Sequence, residues 1–420
     1  MKQKTAVKTL CLVAALSLLP VLSSCSTQVG TKDLMEDISA DSVTTQTDNT
    51  VEDSRAITDF TVRLFKQSAV EGESILISPL SVLNALGMTV NGAGGNTLMQ
   101  MEDTFGMSIK NVNTTLFAYK DTLPSSEKYK LHIANSIWFK DSEGFTVEPQ
   151  FLQTNADYYG ADIFKAAFDD STLKDMNGWV NDHTDGMIEK IVDKISADSV
   201  MYLVNAIAFD AEWQNIYEKN QVRDGVFTLE DGTTKNIELM YSKESDYLED
   251  ENATGFIKYY TDRKYAFAVL LPNEGVSVAD YISSLTGDGL LALLSTPEEI
   301  QVNAAIPKFG SEYDAEMSGI LTGMGMMDAF DPAAADFSGI GHSVDGNIYI
   351  SRVLHKTYIA VDEQGTKAGA STAVEMKSEG SAIEPKDYKT VYLDRPFLYM
   401  LIDCNTNTPI FIGTMMDIEN

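Results

Sequence analysis

Between Val361 and Lys377 the chain reads VDEQGTKAGASTAVEMK, a Gly-Thr pair followed by a run of small residues. Beyond Gly365 every charge falls on one alternate set of positions: Lys367, Gly369, Ser371, Ala373, Glu375 and Lys377. The other set, Thr366, Ala368, Ala370, Thr372, Val374 and Met376, has none. Successive strand residues point to opposite faces, so this stretch can enter the middle of a sheet with an uncharged face towards a core. Its flanks are polar, as those of an exposed loop would be. A segment suited to both states suggests a switch. The same residue types also make ordinary linkers. Strand-like runs on either side, Ile348–Glu363 and Thr390–Asp403, place the segment inside one folded domain.

Residues Gly365–Thr372 resemble the proximal hinge of the serpins, a family of serine protease inhibitors. The tail Val391–Leu401, with Arg395-Pro396-Phe397 at its centre, resembles the family's C-terminal signature. Five more segments resemble serpin landmarks in the same order: Ile77–Thr97, Leu131–Phe139, Val204–Trp213, Phe267–Gly275 and Ile306–Phe309. The resemblance runs from about Val51 to Asn420, and seven ordered motifs make it specific.

The chain has 420 residues, 44% of them hydrophobic, enough for a sizeable core. It shows no internal repeat and no long linker after Val51, which favours one large α+β domain over several. Lys2, Lys4 and Lys8 precede a short apolar run, Leu10–Leu22, and then L-S-S-C ending at Cys25. A run this short reads as a secretory leader and not as a membrane span. L-S-S-C resembles a bacterial lipobox, which implies a signal peptide over 1–24, lipidation of Cys25 and anchoring to a bacterial outer membrane, on its periplasmic or surface face. An ordinary leader cleaved nearby is the alternative. Ser26 to about Thr50 is polar and acidic without helical or strand period, and reads as a flexible tether ahead of a domain spanning 51–420. Cys11 would leave with the leader and Cys25 would be lipidated. Cys404 then remains as a small core residue, and no internal disulfide can form.

The net charge is −31. No basic patch is visible, which excludes nucleic acid as a partner and favours encounter with cationic proteins. Anionic lipid surfaces would repel the chain, leaving the lipid anchor as its one membrane contact. The histidines are His132, His183, His342 and His355, with no H-E-x-x-H and no Cys/His cluster, so no metal is expected. There is no G-x-S-x-G elbow and no Rossmann fingerprint. Gly92–Gly95 lacks the Gly-Lys-Ser/Thr ending of a P-loop and reads as a helix-terminating turn. Neither catalytic residues nor a cofactor are indicated.

Periodicity predicts helices over Ile57–Ser68, Ser81–Met88, Met176–Lys190 and Tyr313–Leu321. It predicts strands over Leu131–Phe139, Val200–Phe209, Phe267–Leu271, Asn347–Ile350, His355–Val361 and Val391–Asp403. The serpin resemblance implies a single domain with a large, mostly antiparallel central sheet, further sheets, about eight or nine helices and an exposed reactive-centre loop.

It also implies the activity: a monomeric suicide substrate for serine proteases, with cysteine proteases as a second target class. The hinge would comprise Glu363, Gly365, Thr366, Ala368, Ala370 and Thr372. Ser78, Ser81, Asn205 and His355 would form a buried polar network that controls opening of the sheet. Trp213 matches a family tryptophan near the top of that sheet and reads as packing. Family spacing puts the attacked bond at Glu379-Gly380, so that residues from about 365 to 379 would insert. The loop is longer than the family norm, and Lys377-Ser378, Ala382-Ile383 and Ile383-Glu384 remain alternatives. Two other functions stay open: a non-inhibitory surface lipoprotein on the same scaffold, and an enzyme built from scattered residues.

Overall fold

A computed structural model describes residues 30–43, 51–121, 125–126, 129–196, 198–366 and 387–418. The expected leader and Cys25 lie outside these residues. Two large sheets organise the molecule. The first, of eight strands, runs Lys32–Asp33, Asp162–Ala166, Tyr129–Lys140, Met201–Glu212, Gly365–Thr366, Arg352–Val361 and Phe309–Glu316, with Ser125–Ser126 beside Tyr129–Lys140. The second, of nine, runs Tyr388–Tyr392, Glu298–Pro307, Thr234–Glu249, Ala253–Tyr259, Tyr265–Pro272, Phe397–Asp403, Thr408–Met415 and Leu76–Ile77, with Val222–Thr228 beside Thr234–Glu249. Antiparallel pairing dominates both. Nine α-helices among the described residues pack around the sheets.

Strand Met201–Glu212 shows why its sequence is almost wholly apolar. Leu203, Ile207 and Phe209 face the main core. Tyr202, Val204 and Ala206 face a second cluster with Met176 and Val180 of helix Asp170–His183. A strand covered on both sides loses the usual polar alternation. On the main-core side, helix Pro79–Val90 supplies Leu80, Val82, Leu83 and Leu86. Its start is encoded locally by Ser78 as N-cap and Pro79 at the first helical position.

Several expected elements differ. The helix predicted to run to Lys190 ends at His183, because Asp185 and Gly186 both adopt positive φ. Ile188, Ile191 and Val192 are still buried, but from a non-helical connector. The stretch predicted as helix over Tyr313–Leu321 is strand Phe309–Glu316 followed by the short helix Ser318–Gly323. Phe309, Ser311, Tyr313 and Ala315 alternate with Gly310, Glu312, Asp314 and Glu316, which is a strand period. Asn347–Ile350 forms no strand, and Val391–Asp403 is split into Tyr388–Tyr392 and Phe397–Asp403. Gly92 belongs to the turn between helices Pro79–Val90 and Gly95–Phe105.

The acidic segment read as a tether carries structure over 30–43. Lys32 and Asp33 pair with Lys165 and Phe164 at the edge of the first sheet. Leu34 donates to the Ile163 carbonyl at 2.8 Å, and Leu34 and Met35 pack against the core. Covering a strand edge satisfies backbone groups that a periodicity argument cannot see. Cys404 sits just past strand Phe397–Asp403, partly exposed, with burial and then Asp403 pushing its thiol up to about 12. No helix among the described residues is long and apolar enough to cross a membrane.

Candidate functional site

The first sheet is split at one end. Strands Met201–Glu212 and Arg352–Val361 pair directly, in parallel, from Arg352 opposite Tyr202 to Tyr358 opposite Ala208. Beyond that point Gly365 and Thr366 lie between them. Gly365 pairs with Glu212, and Thr366 pairs with both Ala211 and Val361. The chain reaches this wedge by a tight turn. Asp362 accepts from the Gln364 and Gly365 amides through Oδ1, at 2.7 and 3.1 Å, and donates its own amide to the Gly365 carbonyl at 2.9 Å. Gly365 has no room for a side chain, since a Cβ there would sit 1.9 Å from the Ala211 carbonyl oxygen.

The turn is gripped from residues 213–217. Trp213 donates its amide to the Gln364 carbonyl at 2.7 Å and its Nε1 to the Asp362 carbonyl at 2.9 Å. Tyr217 donates its amide to the Glu363 carbonyl at 2.8 Å. Trp213 stacks on Tyr260 at 4.4 Å, and the Tyr260 hydroxyl meets Thr366 Oγ1 at 2.5 Å. Read from sequence as packing, Trp213 is also a hydrogen-bonding clamp on the hinge. Glu363 pairs with Lys308 at 2.5 Å, and Lys308 also meets Glu238. Burial opposes charge on both members, yet the mutual hydrogen bonds hold the Glu363 carboxyl below and the Lys308 ammonium above their ordinary values.

Below the split, Ser78, Ser81, Asn205 and His355 are fully buried and joined. His355 Nε2 accepts from the Ser78 amide at 3.1 Å, so the ring proton sits on Nδ1 and faces Asn205 Oδ1. The Asn205 amide group donates to the Ser81 carbonyl at 2.7 Å, to Ser81 Oγ and to Asn135 Oδ1. Ser78 Oγ donates to the Ile410 carbonyl and caps the Ser81 amide. The network therefore ties helix Pro79–Val90 to both strands that flank the split and to the second sheet. Asn135 and Thr357, which donates to the Leu76 carbonyl at 2.7 Å, were not singled out from sequence. The polar pair Asn135-Ser136 between Ala134 and Ile137 was the signal available for Asn135.

Of the hinge residues, Glu363, Gly365 and Thr366 meet at the split, and Thr366 is completely buried. Ala368, Ala370 and Thr372 lie outside the described residues, as do the candidate bonds around Lys377, Ser378, Glu379, Gly380, Ala382 and Ile383. Among the described residues no cluster of His, Cys, Asp or Glu is arranged to hold a metal.

Residues 55–418 match the family described as Serpin (serine protease inhibitor). Human Serpin B8 is 29% identical over 379 residues, covering 84% of this chain and 96% of that protein. The thermophilic serpin tengpin in its native state is 48% identical, with a TM-score of 0.88 over 93% of this chain and all of that one. Its latent state matches less closely, with a TM-score of 0.77 over 90% of this chain and all of that one, at 44% identity. Thyroxine-binding globulin, solved with thyroxine, is 21% identical with a TM-score of 0.76, covering 87% of this chain and 99% of that one, a likeness of fold alone.

Proposed function

This chain belongs to the serpin family, and on that premise we propose that it is a suicide-substrate inhibitor of serine proteases. Serpins are generally protease inhibitors, although the fold also serves a protein such as thyroxine-binding globulin. The observation that carries the inhibitory reading is the wedge of Gly365 and Thr366 in a sheet otherwise closed along its length. Two residues of a future strand are already seated, and the next uncharged positions follow in phase.

The target's serine attacks a carbonyl in the loop, the peptide bond breaks, and the amine departs on the C-terminal fragment. An ester joins protease and inhibitor. The freed N-terminal side then continues the strand begun at Gly365, separating Met201–Glu212 from Arg352–Val361. The strand over residues 365–379 would span roughly 50 Å, carrying the protease from one end of the sheet towards the other. Displacement and distortion of the protease leave the ester unhydrolysed. The leading candidate bond is Glu379-Gly380, on family spacing.

The test is incubation with trypsin-like, elastase-like and Glu-specific serine proteases, followed by denaturing electrophoresis and intact mass. A boiling-resistant complex is expected with at least one, and the released C-terminal fragment locates the bond. Cleavage by all without complex would favour the non-inhibitory reading. Ala370→Glu places a carboxylate on the inward set, where burying it unpaired costs several kcal/mol. It is expected to convert the inhibitor into a cleaved substrate, and unimpaired inhibition would refute insertion. We further propose anchoring through Cys25 on the strength of L-S-S-C; the full chain should partition with membranes, and Cys25→Ala should release it.

A further inference from the structure

Behind the hinge clamp lies a buried ion pair that takes no part in the steps above. Lys258, on strand Ala253–Tyr259, is 2% exposed, and its Nζ lies 2.9 Å from Oε1 of Glu244 on strand Thr234–Glu249. The same Glu244 oxygen accepts from Ser242 Oγ at 2.6 Å. Such a pair is a poor source of stability, because two ions leave water and an apolar pair of equal volume often does as well.

Its remaining contacts converge on one segment. Lys258 Nζ donates to the Asn215 carbonyl at 3.3 Å. It also lies 4.4 Å from the centre of the Tyr217 ring and 5.4 Å from that of Trp213. Desolvated cations over aromatic faces are held more firmly than exposed ones. Residues 213–217 are also the segment whose Trp213 and Tyr217 donors grip the carbonyls of Asp362, Glu363 and Gln364. One ammonium thus fixes the shape of the clamp, and the clamp fixes the turn from which insertion starts.

We propose that the Lys258–Glu244 pair is a positioning element for the hinge, holding segment 213–217 so that the strand seeded at Gly365 extends rapidly once the loop is cut. This rests on the insertion mechanism proposed above. Lys258 acts through Trp213 and Tyr217. A loosened clamp slows insertion, and hydrolysis of the ester then wins more often.

The test uses the full chain with a protease that it traps, and measures molecules of inhibitor consumed per protease trapped. Glu244→Gln with Lys258→Met keeps side-chain length and removes both charges. The expected result is a rise of about threefold or more in that ratio, with the melting midpoint little changed. Lys258→Arg, with Glu244 retained, should bring the ratio back towards that of the unaltered protein. A folded double variant with an unchanged ratio overturns the proposal. Should the double variant not fold, Tyr217→Leu removes one ring from the clamp and is held to the same criterion. If the unaltered protein traps no protease, the inhibitor reading itself fails. Amide exchange then decides whether the pair holds the clamp. The Trp213 and Tyr217 amides should exchange about tenfold faster in the double variant, and unchanged exchange overturns the pair's role.

Discussion

At the scale of single residues, His355 shows how burial selects a protonation state. With Nε2 committed to the Ser78 amide, the neutral ring completes the network through Nδ1, and burial lowers its pKa to about 3. An unfolded chain would bind a proton near the ordinary histidine value of about 6.5. The folded state resists that proton. The histidine's contribution to stability is therefore whole above about pH 6.5 and declines as pH falls towards 3. By pH 5 the loss is about 2 kcal/mol. Nitrogen NMR of the folded protein should show His355 as the neutral Nδ1–H form from pH 8 down to pH 5. A ring titrating near its ordinary value would contradict the network.

Among elements, helix Pro79–Val90 matters most because its first turn is shared with the site. Ser78 is at once its N-cap, the donor to Ile410 and the partner of His355. Ser78→Ala leaves the Ser81 amide and the Ile410 carbonyl without that hydroxyl in a buried place. The expected loss is about 1–3 kcal/mol, read as a lowered midpoint in thermal or urea denaturation. A change within error would mean that water or a rearranged helix start replaces the hydroxyl. Periodicity predicts this helix over Ser81–Met88; the structure starts it two residues earlier, at Pro79, with Ser78 as its cap. Gly186 is the sequence's one mark of where helix Asp170–His183 ends, overridden in the periodicity reading because Ile188, Ile191 and Val192 continue an apolar spacing. Their burial comes from the outer face of the sheet and not from helical continuity.

For the whole molecule, the insertion proposed above implies two minima. Extending the wedge first costs the direct pairing of residues 352–358 with 202–208. It then gives the inserted strand partners on both sides. A structure held short of its lowest state by such a barrier is kinetically stable. Cutting the loop should therefore raise the melting temperature. If around ten new ladder bonds contribute about 1 kcal/mol each, the increase should be about 10 °C or more. Calorimetry before and after limited proteolysis measures it, and a lower or equal midpoint would argue against insertion.

By itself the sequence determined the parts written in local spacing. These are the uncharged alternate set after Gly365, the almost wholly apolar strand expected over Val200–Phe209, and seven ordered segments that mark the family. Tertiary structure alone decided how these parts engage. The Trp213 clamp acts on carbonyls of Asp362 and Gln364, about 150 positions away, and every residue carries a carbonyl. Asn135 and Lys258 find their polar partners on other strands, and residues 30–43 gain structure from the strand edge they cover. Strand Phe309–Glu316 is settled by its pairing with Arg352–Val361. Side-chain periodicity records which face is buried. It carries no record of which distant backbone group will lie there, because that depends on how the whole chain closes on itself.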